Sequence, residues 1–362
     1  MSNDDLLLHG YVHAKEVQCI RNGVTELQRQ QVRTPPVQHR WSFFFDILLK
    51  RSNMRQNRFI YLLVALGLIT PHLAAQQESD NVIQVKSSRH ARPLVEKWAS
   101  EYEKRGVPVK IEVVTDSSPA GNSDMHVSGA ALKQHDTEQQ VSSIGRYALL
   151  PVTSEENSGL NQLRKKRINE KRLEELFFES SEPNGEPSKP DQLFHSLTIY
   201  SGNNADSFAG TFASHFDFTT TDLRGKKIAG DDLYLLEAIR RDNSGITFNS
   251  LSYLFDVETR LLKDGLALLP LDLKKEQREL FNRPDVDDFI DLLEKERISL
   301  IPLGEISVGV DPHNAAVKSF LRWILTEGQE YNREYGFLRA DEKVLATQLR
   351  ELADDQLTAS NQ

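Results

Sequence analysis

Cysteine is almost missing from this chain of 362 residues, since Cys19 is the only one. All residues after it lack a thiol, which excludes disulfide bonds, cysteine-ligated zinc and a cysteine nucleophile from that part of the chain. Cysteine-poor sequences occur both in the reducing cytoplasm and in the oxidising periplasm, so the scarcity of cysteine leaves the location of the protein open.

An excess of positive charge is also missing, because the formal net charge is -9 and the isoelectric point is ≈ 5.7. A nucleic-acid groove needs clustered Lys and Arg to neutralise phosphates, so no nucleic-acid partner is expected. The one dense basic run, residues 164–167, is followed by Glu170, Glu174 and Glu175 at helical spacing. This pattern is typical of a solvated helix face, with a polyanion site as the alternative interpretation.

Familiar catalytic motifs are missing too. The sequence contains no GxSxG turn, HExxH helix, GxGxxG turn or complete phosphate-binding loop, and its histidines are scattered. The adjacent pairs Asp231-Asp232 and Asp287-Asp288 do not face each other on a helix, and N-capping explains the first pair. We therefore expect no metal, no cofactor and no enzymatic activity; an enzyme that uses unassigned carboxylates is the alternative.

Residues 54–75 have the order of features that a secretory signal peptide needs. Arg55 and Arg58 supply positive charge, residues 59–70 form an uncharged apolar run, and small residues end the segment. The run is shorter than the ~20 residues that span a membrane, so a transmembrane helix is disfavoured, and a buried core helix is the remaining alternative. We predict cleavage near Gln76 and a periplasmic location.

The residues before this segment, 1–53, show no clean periodicity and contain Pro35-Pro36. A signal peptide normally lies at the very N-terminus. We therefore interpret residues 1–53 as a non-native or disordered extension, with Met54 as the true start.

The rest of the chain has a globular balance of 39% hydrophobic and 27% charged residues. Residues 81–85 alternate like a strand, a serine-rich turn follows, and Leu94, Val95, Trp98 and Tyr102 then recur at helical spacing. Further strands are predicted at residues 109–114, 124–127, 147–152 and 197–200. Strands that alternate with helices indicate an α/β architecture with largely parallel pairing.

Two later helices stand out. Phe208, Phe212 and Phe216 lie four residues apart, which predicts one apolar helix face directed at the core. The last strong helical pattern covers residues 315–336.

Five segments carry a resemblance to a known family. They are the strand, serine turn and helix from residue 81, DMHVS at 124–128, DSFAGTFASHF at 206–216, SGITFNSLSYLF at 244–255, and the tryptophan-containing helix with its Gly-Gln pair and Gly-Phe turn within 314–338. In this order they are similar to the phosphate-binding (PstS-type) substrate-binding proteins of bacterial ABC importers. The similarity extends from about residue 80 to 345.

The resemblance implies an α/β, two-lobe periplasmic-binding-protein-like fold, in which each lobe is a mixed sheet flanked by helices and crossing strands join the lobes. Residues 80–148 plus 306–350 would form the first lobe and residues 149–305 the second, with 351–362 as a C-terminal tail. The ligand would lie in the cleft between the lobes, where helix N-termini offer unpaired N-H groups.

Residue by residue, the resemblance implies a ligand site with contributions from both lobes. The expected ligand-binding residues are Ser87, Ser88, Arg89, Asp124, Ser207, Gly210 and Thr211. At the serines, helix capping is the alternative interpretation. The arginine that precedes the family's Ser-Gly-Thr is absent, since residues 200–211 contain none, and Ala209 stands in place of the serine. Because a guanidinium fork supplies much of the binding of a phosphate, its loss leaves the ligand open.

Three functions follow as expectations. The first is an exported, monomeric solute-binding protein that captures phosphate or a related small oxyanion and delivers it to an ABC permease in the inner membrane. The second is an interaction or sensory module of the cell envelope that keeps the binding fold but has lost anion binding. The third is a periplasmic enzyme, which the lack of catalytic motifs disfavours.

Overall fold

The computed structural model describes residues 82–115, 123–129, 140–179, 191–203 and 207–359. These residues belong to one compact unit. The predicted extension at 1–53 and the predicted signal peptide at 54–75 lie outside the described residues. In the part of the chain that is described, no helix has both the length and the apolar composition needed to cross a membrane.

The described residues form nine strands. They are β1 (Val82–Ser87), β2 (Lys110–Thr115), β3 (Met125–Ser128), β4 (Gln140–Ser154), β5 (Thr198–Gly202), β6 (Lys226–Ile228), β7 (Gly245–Ser250), β8 (Leu266–Leu268) and β9 (Leu303–Val310). Each strand predicted from the sequence overlaps one of these.

Helices separate most of the strands. They are α1 (Arg92–Glu103), α2 (Leu160–Leu163), α3 (Glu170–Phe177), α4 (Gln192–Ser196), α5 (Phe208–His215), α6 (Leu233–Arg241), α7 (Leu251–Leu254), α8 (Lys275–Asn282), α9 (Val286–Lys295), α10 (Ala315–Leu325) and α11 (Glu342–Ala359). Two short 3-10 segments, Glu327–Tyr331 and Arg333–Tyr335, lie between α10 and α11.

The strands pair in the order β2-β1-β3-β9-β4-β7-β5-β6, and β8 pairs with β4. Pairing is parallel between β1 and its neighbours β2 and β3, and between β5 and its neighbours β6 and β7. It is antiparallel wherever β4 or β9 takes part. The sheet is therefore mixed, with parallel strands towards its outer ends and antiparallel strands at its centre.

Strand β4 belongs to two groups of strands. Its first part, from Gln140 to Ala148, pairs with β9, and its second part, from Leu149, pairs with β7. We call β1, β2, β3, β9 and the first part of β4 the first half, and the remainder of β4 with β5 to β8 the second half. The chain crosses between the halves in β4 and returns ahead of β9. The expected α/β class with mixed sheets and crossing strands is confirmed, while the lobe boundaries stay a prediction.

The core of the first half contains the predicted face of α1. Leu94, Val95, Trp98 and Tyr102 are all buried. Burial of the indole is possible because Trp98 Nε1 donates a hydrogen bond to the carbonyl oxygen of Gly328 at 2.8 Å. The helical pattern in the sequence therefore identified this face correctly.

The predicted phenylalanine stripe of α5 forms the core of the second half. Phe208, Phe212 and Phe216 are buried, and the ring of Phe212 stacks on Phe248 of β7 with 3.9 Å between centroids. The edge of the Phe177 ring meets Phe212 at 4.9 Å. This packing fixes α5 against the sheet and so sets the position of its N-terminus.

The helix predicted over 315–336 ends earlier than expected, at Leu325. The next residue, Thr326, has φ -114 and ψ -94, outside the helical region. Beyond it the Gln329 side chain donates to the carbonyl oxygen of Ile144 in β4 at 2.9 Å. A long-range hydrogen bond thus holds this segment on the sheet as 3-10 turns, which local periodicity could not indicate.

We predict that Phe212→Ala lowers the free energy of unfolding by about 3–5 kcal/mol, because it removes a buried ring and leaves a cavity. Chemical denaturation measures this loss. The control is Leu261→Ala, at a side chain 53% exposed, which should change the free energy by less than about 0.5 kcal/mol. Equal effects of the two substitutions would contradict this account of the core.

Candidate functional site

A cleft of ≈ 450 Å³ lies where the two halves meet. Its lining residues follow the carboxyl ends of four strands: Ser88 follows β1, Gly129 follows β3, Ser207 follows β5 and Gly230 follows β6. In α/β sheets ligands bind outside the carboxyl ends of the strands, where helix N-termini also point. The position of the cleft is therefore that of a ligand site in such a fold.

Three of the residues predicted from the sequence line this cleft, namely Ser88, Arg89 and Ser207. Ser88 and Arg89 form the turn between β1 and α1. Ser207 is the N-cap of α5, where its Oγ accepts a hydrogen bond from the N-H of Ala209 at 3.2 Å. At Ser207, capping and a place on the cleft wall therefore occur together.

The other four predicted residues do not line the cleft. Each is instead buried in the fold or hydrogen-bonded to other parts of it. Ser87 is fully buried, and its Oγ donates to the carbonyl oxygen of Ser88 at 3.1 Å. Gly210 is buried inside α5. Thr211 lies one residue further along the same helix, where its Oγ1 is hydrogen-bonded to the hydroxyl of Tyr147 at 2.7 Å.

Asp124, the fourth of these residues, lies just before β3 and braces neighbouring elements. Its carboxylate accepts from the N-H of Gln84 in β1 at 2.8 Å and from the side chain of Asn314, the N-cap of α10, at 3.4 Å. The carboxylate therefore ties β1 to the start of α10 rather than forming part of the cleft wall.

Sequence reasoning missed most of the cleft wall. The additional lining residues are Lys86, His90, His126, Ser128, Gly129, Phe208, Gly230, Asp231, Asp232 and Tyr253. Lys86 and Ser128 could have been found, because they lie at or near the ends of predicted strands. The Asp231-Asp232 pair was noticed in the sequence only as a helix cap.

His90 is the most enclosed polar group of the cleft. It is 9% exposed, and the rings of Tyr147, Phe208, Tyr253 and Phe337 surround its imidazole at centroid distances of 4.7 to 5.4 Å. Burial lowers the pKa of His90 to about 3. The imidazole is therefore neutral near pH 7, with one nitrogen as donor and the other as acceptor.

The two ring nitrogens of His90 have different surroundings. Nε2 lies 3.2 Å from the Oγ of Ser250 in β7, so the imidazole reaches from the first half to the second. Nδ1 is buried and has no hydrogen-bond partner among the described residues, and the same holds for the Oγ of Ser88. A Cβ at Gly129 would lie 3.3 Å from Nδ1 and 3.6 Å from this Oγ. Gly129 therefore packs closely against these two polar atoms, and a larger residue there would crowd them.

In the second half, the cleft residue with a buried polar atom that lacks a partner is Asp232. Its Oδ2 accepts a hydrogen bond from the N-H of Phe208, the first residue of α5, at 3.3 Å. Its Oδ1 is buried and, among the described residues, has no partner. A Cβ at Gly202 would lie 3.1 Å from this Oδ1 and 3.0 Å from Ser207 Oγ. Burial raises the pKa of Asp232 to about 6, because a desolvated carboxylate without a cation disfavours its charged form.

The neighbouring Asp231 already has partners. Arg89 Nε lies 3.3 Å from its Oδ2, the hydroxyl of Tyr253 donates to the same oxygen at 3.4 Å, and the N-H of Leu233 donates to Oδ1 at 2.8 Å. Arg89 is largely exposed, whereas the Asp231 side chain is 7% exposed. Asp231 and Arg89 thus form an ion pair that connects the halves at the cleft.

Leaving the histidines aside, the charges on the cleft wall balance. Lys86 and Arg89 are cationic and belong to the first half, and Asp231 and Asp232 are acidic and belong to the second. Since Arg89 pairs with Asp231, Lys86 and Asp232 are the remaining two charges of the wall. The cleft can therefore offer donors on one side and a carboxylate on the other.

The known proteins that this chain resembles in structure have little sequence similarity to it. No protein-family model matches it, and no curated protein matches it. Among solved structures, it is similar to an ABC-type phosphate transport receptor from Vibrio cholerae at 11% identity, with 71% of this chain and 100% of that chain covered and a TM-score of 0.45.

A phosphate-bound protein from Clostridium perfringens, which carries the description of a phosphate ABC transporter substrate-binding protein, is 15% identical, with 72% and 100% of the two chains covered and a TM-score of 0.49. The regulatory domain of CcmR from Synechocystis, in complex with 2-PG, is 10% identical, with 68% and 97% covered and a TM-score of 0.42. The family that the sequence resembles is thus represented among these structures. At such identities and TM-scores the ligand has to be inferred from this chain's own residues.

We predict that Asp232 makes the protein less stable as the pH rises from about 4 to about 6. The folded state binds the proton more tightly than the unfolded chain, whose Asp titrates near 3.8, so stability is lost in this window and stays constant above it. In Asp232→Asn this loss disappears. Thermal unfolding between pH 4 and 8 should therefore show the variant gaining stability relative to the wild type up to about pH 6.

Asp256→Asn is the control, because the pKa shift of Asp256 has the opposite sign. Hydrogen bonds from Thr259 lower the pKa of the half-buried Asp256, so this carboxylate stabilises the fold at neutral pH and the contribution is lost only below the unfolded value near 3.8. Between pH 4 and 8 the stability of this variant relative to the wild type should therefore stay constant. If both substitutions gave the same trend, the burial of Asp232 would not be the cause.

Proposed function

We propose that this chain is an exported solute-binding protein that captures phosphate or a related solute with an oxyanion group and delivers it to an ABC permease. The observation that supports this most directly is the cleft at the carboxyl ends of strands from both halves, where Ser88 Oγ and His90 Nδ1 are buried without partners among the described residues. Buried polar atoms normally have hydrogen-bond partners, so a pair of orphans in one cleft suggests that a ligand completes them.

The chemistry of these atoms suits an oxyanion. The hydroxyl of Ser88 can donate, and a neutral His90 that accepts from Ser250 through Nε2 carries its proton on Nδ1. Lys86 adds an ammonium group to the same wall. Hydrogen bonds to an ionised acceptor are shorter and stronger than neutral ones. A small oxyanion beside Gly129 would therefore satisfy two orphan atoms at once.

The connections between the halves suit a binding protein that closes on its ligand. The chain passes between the halves in β4 and again ahead of β9, so a few backbone positions could absorb a hinge motion. On the cleft side, the contacts from His90 to Ser250 and from Arg89 to Asp231 would have to break for the halves to separate. A ligand that bridges both walls would favour the closed form.

We predict that Ser88→Ala weakens the binding of the captured solute by about tenfold or more, because it removes a hydrogen bond to a charged group. Isothermal calorimetry of the purified full chain with phosphate, sulfate, ethylphosphonate and 2-aminoethylphosphonate measures this effect. Ser87→Ala is the matched control, since the neighbouring hydroxyl is buried and bonded to the backbone. Equal weakening by the two substitutions would argue against a ligand at Ser88.

Export gives a separate prediction. If residues 54–75 are a signal peptide, the protein isolated from its native cell envelope should begin near Gln76, because the signal is removed during secretion. Intact-mass spectrometry measures the N-terminus. A native chain that still carries Met1 would contradict both the proposed export and the interpretation of residues 1–53 as a non-native extension.

A second candidate function is an interaction or sensory module that no longer binds anions. It is favoured because the chain's own carboxylates occupy donors that an anion would use: Asp232 accepts from Phe208 N-H at the start of α5, and Asp231 pairs with Arg89. The same calorimetry separates the two functions. A folded protein that gives no heat with any of the four solutes would exclude solute capture of this kind and leave the interaction module.

A further inference from the structure

The carboxylates of the cleft limit which oxyanion-bearing solutes it can hold. Lys86, Ser88 and His90 belong to the first half and offer donors, whereas Asp231 and Asp232 belong to the second half. A bare oxyanion that fills the cleft would be exposed to both carboxylates, and like charges at close range repel. The wall opposite the donors is therefore suited to a cationic group.

Asp232 is the carboxylate that lacks a counter-charge. Arg89 and the hydroxyl of Tyr253 already serve Asp231, whereas Asp232 Oδ1 is buried with no partner among the described residues. Leaving a desolvated charge unpaired is costly, and a donor with a positive charge would remove that cost. Gly202 packs directly against this oxygen, since a Cβ at Gly202 would lie 3.1 Å from it.

His90 gives an independent observation on the first-half side of the cleft. Its side chain is more than nine-tenths buried, and Nδ1 has no partner in the described part of the chain. Nδ1 and Ser88 Oγ both lie close to Gly129. Among the described residues, the cleft thus has partnerless polar atoms, Ser88 Oγ and His90 Nδ1, on its first-half side and a partnerless acceptor, Asp232 Oδ1, on its second-half side.

The size of the cleft agrees with a solute that contacts lining residues of both halves. Its volume of ≈ 450 Å³ falls in the range of about 300–1,000 Å³ typical of small-molecule sites. A lone tetrahedral oxyanion occupies only a small part of such a volume. A short carbon chain between an anionic and a cationic group would fill the rest and would let both groups bind.

We propose that the captured solute is a zwitterion, with its oxyanion at Ser88, His90 and Lys86 and a primary ammonium group at Asp232. This inference rests on the proposed function and narrows it to amino-bearing phosphonates or carboxylates. The two chemistries share the ammonium group and differ in the oxyanion.

Two matched pairs of solutes test the proposal by isothermal calorimetry on the full chain at neutral pH. 2-Aminoethylphosphonate and ethylphosphonate differ by the amino group, as do β-alanine and propionate. Because an ammonium group would gain a hydrogen bond to a buried carboxylate, we expect the aminated member of at least one pair to bind about tenfold tighter or more. The pair with the higher affinity identifies the oxyanion as phosphonate or carboxylate.

Asp232→Asn should abolish this preference while leaving the non-aminated solute bound, because it removes the charge that pairs with the ammonium group. Asp242→Asn is the matched control, since Asp242 lies at the opposite end of α6, bonded to Tyr200 and Ser244. Gly202→Ala is a second variant that keeps the carboxylate but places a methyl group 3.1 Å from its Oδ1. It too should lose the preference.

The outcomes separate this inference from the proposed function. Equal affinity within both pairs would overturn the zwitterion while leaving oxyanion capture in place, and so would a preference that survives in Asp232→Asn and Gly202→Ala. If none of the four solutes bound, and phosphate and sulfate also gave no heat, the proposed function would fail and the inference with it. A preference lost in both variants and kept in Asp242→Asn supports the proposal.

Discussion

The cleft depends on one buried contact, the neutral imidazole of His90 between the halves. Aromatic rings from both halves and from the crossing strand β4 enclose it, and its Nε2 reaches Ser250 of β7. An imidazolium ion in this position would be desolvated without a counter-ion, which is why burial lowers the pKa so far. The surrounding rings thus keep His90 a neutral hydrogen-bonding group, with one nitrogen committed to Ser250 and the other left for the cleft.

A second constraint is the competition between the chain's own carboxylates and any anionic ligand. The N-terminus of α5 is where a family-like binding site would offer amide donors, yet the N-H of Phe208 already donates to Asp232 and that of Ala209 to Ser207. An anion bound there would have to displace the side chain of Asp232 or Ser207. These side chains are already part of the fold and lose no translational or rotational entropy on binding, whereas a free anion does. Among the described residues, the cleft atoms of the first half that lack partners lie instead in the turn after β1, at Ser88 Oγ and His90 Nδ1. The physical argument for anion binding is therefore stronger for the cleft residues of the first half than for those of the second half.

The sequence was sufficient for most of the elements and for three of the residues that line the cleft. Period-2 and period-3.6 patterns identify strands and the apolar faces of α1 and α5, because these patterns follow directly from local backbone geometry. Ser88, Arg89 and Ser207 were predicted from the resemblance to the phosphate-binding family, and all three line the cleft in turns between a strand and a helix. Asp124 was predicted from the same resemblance, but its hydrogen bond with the N-H of Gln84 gives it a bracing role.

The rest of the site depends on contacts between distant parts of the chain, which no local pattern indicates. His90 and Ser250 are 160 residues apart, and their contact requires the strand order that places β7 beside β4. Asp232 similarly meets Phe208 only because β5 and β6 are parallel neighbours, so that the segments after them lie side by side. The early end of α10 has the same origin, since Gln329 is held by a carbonyl group of β4.

The net negative charge of the protein and the balanced charges of the cleft both bear on how an anionic ligand would be selected. With a net charge of -9, the protein does not attract anions over long distances, so an anionic ligand would have to be selected by short-range contacts inside the cleft. At short range, Lys86, Ser88 and His90 would attract the proposed oxyanion, and Asp232 would penalise any ligand that places negative charge beside it. Selectivity in such a site comes as much from the penalty as from the attraction. A solute with a positively charged group beside Asp232 would form an ion pair with this carboxylate instead of being repelled by it. The arrangement of charges therefore favours a ligand with one anionic and one cationic group.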